Sequence, residues 1–541
     1  MRYKEVKLPT NSSRLNINKI FYKSFLYNFW LNLTKPENIF QDIKDPWEGE
    51  GQLADAIFQG RYNFAGEEIH SPNKPLWEPN GVGPWWLAEM HGFSWLRHFK
   101  ARDGKTSRQY ARALISDWIR DGNDRYNPIS WKIDVLGRRI SAWISYSEML
   151  KEEADREFLE KFYKLLTSQS KHLSRVIQKK KNEPEVFTAL RGLIISGICL
   201  SGGNKRYSIA KNILLYALNS QILSDGCHIS RRPSITLDIL TDLIWIRSSL
   251  PENDNLIEKL ETNITKISHA IRALRLGDGT LLRSNGGKSY SRDAIDKVLD
   301  KTGIKLKSKI SVSLKSSGYE RLAAGKSIIL LDCSQKEKDS YNGSLSFEMS
   351  VGRDRMIVNC GPTPYNNKEW EKALSSSAAH STLVINNTNS SSSENYKNLK
   401  INVGREVTSG FEIISSGHNG YENLFSALHK RTLKLDSRGS LLKGVDSIIS
   451  GPKMNFRIHF HLHPKVNVRL TRNKERILLL IPSGGWEFFI SKNNIKLNLN
   501  IEESIYIEDN GQVKKSSQFV INGETSNSGA QIEWCLSKTH L

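Results

Sequence analysis

The stretch DGTLLRSNGGKSYSRD, residues 278–293, is where the character of the chain changes. It has loop composition, with Gly279, Gly286 and Gly287 set among serine, asparagine and charged residues. Upstream, from about Trp85 to Leu276, apolar residues recur at helical spacing. TSRQYARALISDWIRDG (106–122) places Tyr110, Leu114 and Trp118 on one stripe and stops at Gly122. REFLEKFYKLLTSQSKHLSRVI (156–177) repeats the rule with Phe158, Phe162 and Leu165. VFTALRGLIISGICLSGG, YSIAKNILLYALNSQI, SITLDILTDLIWI and LIEKLETNITKISHAIRALRL continue the series. Helices of ordinary length with short connections make a bundle or a helical toroid. Downstream the pattern changes. KSIILLDC, LSFEMSVG, RMIVNCG, STLVIN, RTLKLD, FRIHFHLHP, RILLLIP and WEFFIS are short apolar runs separated by turn residues. That pattern predicts an antiparallel β-sandwich. The expected fold is multidomain α+β, with a helical domain over residues 1–290 and a sandwich over 300–541.

Length agrees: 541 residues exceed what one compact core holds. Hydrophobic residues at 38% and charged residues at 25% describe a folded chain, not a disordered one. The formal charge of +21 favours polyanionic partners, among them acidic polysaccharide, anionic lipid and nucleic acid. Five scattered cysteines without a CxxC pair exclude a disulfide framework and a cysteine zinc site. No apolar run is long enough for a transmembrane helix. The segment IFYKSFLYNFWLNL (20–33) is broken by Lys23 and Asn28 and lacks a small-residue cleavage site, so it reads as an amphipathic helix, not a signal peptide. GxGxxG, Walker, HExxH and GxSxG motifs are absent, and no nucleic-acid-binding module is recognisable.

Several clusters could carry chemistry. In FRIHFHLHP, His459, His461 and His463 alternate, so on a strand they share one face. They are either zinc ligands, with Asp446 or His380 adding to the set, or a polar solvent-facing side. In DGCHISRRPS, His228, Arg231 and Arg232 precede a helix opening at Pro233, which suits an anion, or they are simply a basic loop. Arg138 and Arg139 lie between Trp131 and Trp143, as sugar or carboxylate binders or as packing. Trp86 and His91 belong to a tryptophan-rich entry that either stacks on sugars or fills a core. In AAHSTLVINN (378–387) a single histidine, His380, stands at the mouth of a strand between small residues.

Taken in order, PWWLAEMHGFSWLRH, GRRISAWI, DGCHISRRPS, GDGTLLRSNGG, SGYERLAAG, AAHSTLVINNT, NGYENLFSALHKRTLKL and FHLHP resemble the heparinase II/III-like proteins. AAHSTLVI and FHLHP are the most specific pieces, and the resemblance runs from about Trp77 to the C-terminus. It implies an incomplete (α/α) toroid followed by a β-sandwich. It also implies a polysaccharide lyase that cleaves a uronate-containing polymer by β-elimination, needing no cofactor, with a structural zinc in some members. Such a reaction requires a neutralised carboxylate, a base for the C5 proton and an acid for the departing oxygen.

Carried onto this chain, the resemblance makes His380, His228 and Arg231 the catalytic candidates. Arg232, Arg138, Arg139, Trp131, Glu185, Trp86 and His91 become substrate-binding candidates, and His461 with Asp446 the zinc candidates. It places the protein in the periplasm or cell envelope, with acidic polysaccharide as partner and no specific nucleic acid. Two departures stand out. PEVFTALRGL (184–193) has Glu185 and Thr188 where such lyases carry an Asn-His pair. SRRPSI has no tyrosine after the DG turn, leaving Tyr290 or Tyr319 as substitutes. The alternative is a non-catalytic anionic-glycan-binding or envelope-assembly protein of the same fold.

Overall fold

The computed structural model describes Tyr27, Phe29 and Leu31 and residues 33–72, 77–122, 127–304, 311–337, 340–363, 367–391, 396–450, 453–473, 475–491 and 495–539. Most of the amphipathic segment expected at 20–33 lies outside the described residues. Among the described residues no helix is long and apolar enough to cross a membrane. The chain divides into two compact units, one comprising Met1–Tyr62, Ile69–Lys180 and Thr188–Ala210, the other Asn63–Glu68, Lys181–Phe187 and Lys211–Leu541.

The first unit is helical. Pro84 opens the helix Pro84–Gly92 from its first turn, where its missing N–H costs nothing. Asp155 caps Arg156–Val176 by accepting from Phe158 N at 2.7 Å. Trp86, Trp118, Trp143 and Phe162 fill the core. Glycine lets two helices close on each other: a Cβ on Gly137 would lie 2.2 Å from Thr188 O, and one on Gly192 would lie 2.6 Å from Gly137.

The second unit contains the sandwich. A short hairpin, β1 (Arg61–Phe64) and β2 (Glu67–His70), precedes it in the chain. The sandwich strands are β3 (Val312–Leu314), β4 (Tyr319–Ala324), β5 (Ser327–Asp332), β6 (Phe347–Val351), β7 (Asp354–Val358) and β8 (Leu383–Ile385). There follow β9 (Ile401–Thr408), β10 (Phe411–Tyr421), β11 (Ala427–Asp436), β12 (Leu441–Ser450), β13 (Asn455–Leu462) and β14 (Asn467–Leu470). The last are β15 (Arg476–Ile481), β16 (Gly484–Ile490), β17 (Leu497–Ile507), β18 (Val513–Glu524) and β19 (Ala530–Lys538). One sheet has the order β14-β15-β16-β19-β12-β11-β10-β9, and the other β17-β18-β13-β7-β6-β5-β4-β3, with β8 paired to β13. Between the sheets Phe347 stacks on Trp534 with ring centroids 6.1 Å apart, and Phe460 meets Trp534 edge-on at 5.2 Å. Deleting such a ring costs about 3–5 kcal/mol in lost burial and cavity.

β5 is buried along its whole length, not on alternate residues. The cause is a third layer. Ile329 and Leu331 point into the inter-sheet core, while Ile328 and Leu330 pack with Ala270, Ala273 and Leu274 at the end of the helix Ile257–Ala273. This explains a difference from the division expected at 290–300. Secondary structure does change there, yet the helices Pro233–Ser249, Ile257–Ala273 and Arg292–Asp300 belong to the same compact unit as the sandwich.

Candidate functional site

A 3₁₀ turn, Ser377–Ala379, delivers the chain into extended conformation at His380 and then into β8. His380 is 5% exposed. Its Nδ1 lies 2.8 Å from Ser376 O, and since a carbonyl only accepts, the proton sits on Nδ1 and the lone pair on Nε2. Burial pulls its pKa to about 4 against the pull of the Ser376 carbonyl, and nearby Lys336 lowers it further. The imidazole is therefore neutral at pH 7. Gly343 makes room for the ring, since a Cβ there would sit 2.5 Å from His380 Cδ2.

Beside it lies a group of charges from the same unit. Asp332, at the end of β5, accepts from Ser284 Oγ and Ser334 N, each at 2.9 Å. Lys336 is buried, and its Nζ stands 3.7 Å from Asp332 Oδ2. No group among the described residues completes a hydrogen bond to that Nζ. Burial lowers the Lys336 pKa; Asp332 opposes this and Arg231 adds to it. Arg231 has φ 51°, a left-handed conformation that a side chain adopts only under local compulsion. Its carbonyl accepts from Asn285 Nδ2 at 3.1 Å and from the Tyr319 hydroxyl. Its Nη1 donates to Glu337 Oε1 at 2.9 Å. A carboxylate of the protein itself thus engages one edge of the guanidinium, while its buried Nε has no hydrogen-bond partner among the described residues.

The structure brings His380, Lys336 and Arg231 into one electrostatic neighbourhood. His228 is 1% exposed, with Nδ1 2.8 Å from Ser230 Oγ and Nε2 2.9 Å from Gln221 Oε1. It is a turn-fixing residue with no ring nitrogen left for a substrate, which corrects its expected catalytic role. Arg232 is partly exposed at the N-cap of Pro233–Ser249 and forms no ion pair among the described residues. The substitute tyrosines are also engaged: Tyr290 OH donates to Asp238 Oδ1 at 2.6 Å, and Tyr319 OH to Arg231 O.

Three expected substrate contacts are core residues instead. Trp86, His91 and Arg139 are fully buried. Trp86 Nε1 donates to Tyr62 O, and His91 Nδ1 accepts from Trp118 Nε1 at 2.9 Å. Arg139 donates to Gln169 Oε1, His91 O and Ser130 O and lies 4.4 Å over the Trp118 ring. Arg139 satisfies backbone and carboxamide groups inside the first unit, so it presents nothing to a ligand. Arg138 stays partly exposed, 4.0 Å from Asp134. Trp131 is half-buried with its edge on His172, and Glu185 is exposed.

The zinc expectation meets a similar correction. His459 and His461 do share a face, stacked 5.9 Å apart, but that face is covered and not solvent-facing. His461 uses both nitrogens, Nδ1 at 2.7 Å from Ser504 Oγ and Nε2 at 2.9 Å from Ala378 O. Asp446 is held elsewhere, accepting from Arg431 Nε at 2.7 Å and Nη2 at 3.1 Å, from Trp534 Nε1 at 2.9 Å, and paired with His429 Nε2 at 2.9 Å. Burial opposes its ionisation, yet Arg431 and His429 hold its carboxyl well below the usual range. The guanidinium supplies the cation that a metal would otherwise supply. Among the described residues no three His, Cys, Asp or Glu side chains are grouped to hold a metal ion, so this donor set does not fit zinc.

No motif or spacing singles out Lys336, Asp332 or Asn285. They sit in LDCSQKE and RSNGG, stretches whose composition is that of any charged or glycine-rich loop.

Residues 307–535, which hold most of the sandwich, match the family model described as heparinase II/III-like, C-terminal. Nearly the whole chain also has a likeness among solved structures. Heparinase III superposes with a TM-score of 0.76 at 13% identity, covering 97% of this chain and 91% of that one. The heparan sulfate lyase HepC from Pedobacter heparinus gives 0.64 at 15%, covering 94% and 85%. At such identities they show a shared helix-and-sheet fold and nothing of activity. In sequence, the chain is 27% identical over 560 residues to the FtsZ-localized protein C of Caulobacter vibrioides (strain NA1000 / CB15N), spanning 97% of this chain and 94% of that protein.

Proposed function

We propose that this protein is a binding protein built on the heparinase fold, one that localizes with FtsZ and does not cleave polysaccharide. One observation carries the reading: among the described residues His228, the two substitute tyrosines and one edge of Arg231 already bond to groups of the protein itself, and of the catalytic candidates only His380 keeps a free ring nitrogen. Arg231, one of the three catalytic candidates, is paired with Glu337 at 2.9 Å. His228 has no free nitrogen, and the two substitute tyrosines donate their hydroxyl protons to internal acceptors. Neither of the two substitute tyrosines keeps its hydroxyl proton free to act as the acid, Arg231 shares its Nη1 with Glu337, and a lone base does not drive the elimination. The full-length resemblance to an FtsZ-localized protein supports the partner. The charge of +21 supports an acidic face on that partner or on an envelope polymer beside it.

A second reading, lyase activity on an acidic polysaccharide, is favoured by the lone pair that His380 keeps on Nε2. Two assays separate them. Purified FtsZ passed over the immobilised chain gives saturable, salt-sensitive binding if the first reading holds. A panel of uronate polymers gives no rise at the unsaturated-uronate absorbance band. Turnover of any polymer, abolished by His380→Ala, reverses the order.

A further inference from the structure

At the start of β13 the sheet carries a cavity of about 430 Å³, in the size range of small-molecule sites. Four asparagines line it, Asn386, Asn387, Asn455 and Asn522, together with Arg457 and Val384. The sheet register puts Val384, Arg457 and Asn522 abreast on β8, β13 and β18, and Asn498 of β17 beside Asn522. Phe456, Ile458 and Phe460 point into the inter-sheet core, so Asn455 and Arg457 face the opposite side. Asn386 and Asn387 form a left-handed turn, φ 47° and 55°. That turn is tied to the strand by Asn386 N donating to Asn455 O at 2.9 Å and Asn455 N donating to Asn386 Oδ1 at 3.1 Å.

The carboxamides of Asn387, Asn455 and Asn522 make no hydrogen bond among the described residues. Each offers one acceptor and two donors. Arg457 is fixed, its Nη2 donating to both oxygens of Glu502 at 2.7 and 2.5 Å, while its buried Nε has no partner among the described residues. The pair leaves the cavity with no net charge, although the chain as a whole is at +21.

We propose that this cavity binds an uncharged sugar unit through its hydroxyl or acetamido groups. Paired donors and acceptors on carboxamides match neighbouring hydroxyls. A carboxylate finds here no cation that Glu502 has not already neutralised. The proposal does not depend on the FtsZ reading and concerns a separate surface of the sandwich.

The test is a calorimetric or ligand-observed NMR titration of the full chain with N-acetylglucosamine, glucose and glucuronate. The uncharged sugars bind saturably, at about millimolar for a single ring in an open polar site. Asn522→Ala weakens that binding roughly ten-fold, the loss expected for one well-placed hydrogen bond. Asn387→Gly, which keeps the left-handed turn, does the same and serves if Asn522→Ala folds poorly. Glu502→Gln, which frees the Arg457 charge, shifts preference toward glucuronate several-fold, on the order of one charge-assisted hydrogen bond. No saturation by the uncharged sugars, unchanged affinity in Asn387→Gly, or tighter glucuronate than glucose in the unaltered chain overturns the proposal.

Discussion

Two polar clusters sit inside the second unit, and they are built differently. Around Asp446 every oxygen is used: Arg431, His429 and Trp534 all bond to it, and His429 Nδ1 lies 3.2 Å from His418 Nε2. Gly420 N donates to His418 Nδ1 at 3.0 Å, so the proton of that ring sits on Nε2 and the chain of bonds runs one way toward Asp446. Around His380 the accounting does not close. Among the described residues Lys336 Nζ completes no hydrogen bond, Arg231 is held left-handed, and Glu337, 55% exposed, is the carboxylate that pairs with one edge of its guanidinium. The clusters are close enough that Lys336 lowers the pKa of His418, behind the larger effects of burial and His429. Complete satisfaction marks a structural network, and incomplete satisfaction marks the place where a ligand or a partner can still act.

That contrast can be broken in four ways. The largest effect comes from acid, which strikes both clusters. Burial lowers His380 to about 4, His228 to about 3 and His461 to about 3, from an ordinary 6.5. The unfolded chain binds protons at these positions before the folded one does. The stability they contribute is thus present above 6.5 and lost as pH falls toward the folded values. Asp446, held low, adds a loss in the same direction at still lower pH. Denaturation at a series of pH values shows a drop on the order of 10 kcal/mol between pH 7 and 4. A flat profile across that window contradicts the burial of these rings. Next, Arg431→Met strands a buried carboxylate and costs about 3–5 kcal/mol in urea denaturation. Lys336→Met removes an ammonium without a hydrogen bond, so the same measurement shows a change within about 1 kcal/mol, of either sign. Equal losses in the two methionine variants erase the distinction between the clusters. Smallest in stability is Glu337→Gln, below about 1 kcal/mol because that pair is half in water. Its signature is ligand affinity: freeing Arg231 raises glucuronate binding there, and an unchanged affinity shows that Glu337 does not guard the guanidinium.

Much of the architecture is legible in period and punctuation. The change at 278–293 marks the passage from helices to strands because apolar spacing of 3.6 and of 2 cannot be confused over such lengths. The unit boundary is not legible, because Ile328 and Leu330 read as ordinary strand residues until the helix end at Ala270–Leu274 is seen against them. The candidate site is only half legible. His380 is singled out by its place at a strand mouth. Lys336 is a lysine among lysines until the fold buries it. Arg139, Trp86 and His91 show the opposite error, since residue types suited to binding sugar are equally suited to a polar-stitched core.

The most direct test of the central claim is a single absorbance experiment. The purified chain is incubated with uronate polymers, and the unsaturated-uronate band is followed beside a lyase control. A protein whose Arg231 and tyrosine hydroxyls are already taken produces no signal with any polymer. A steady rise that disappears in His380→Ala would show that the closed site opens and works.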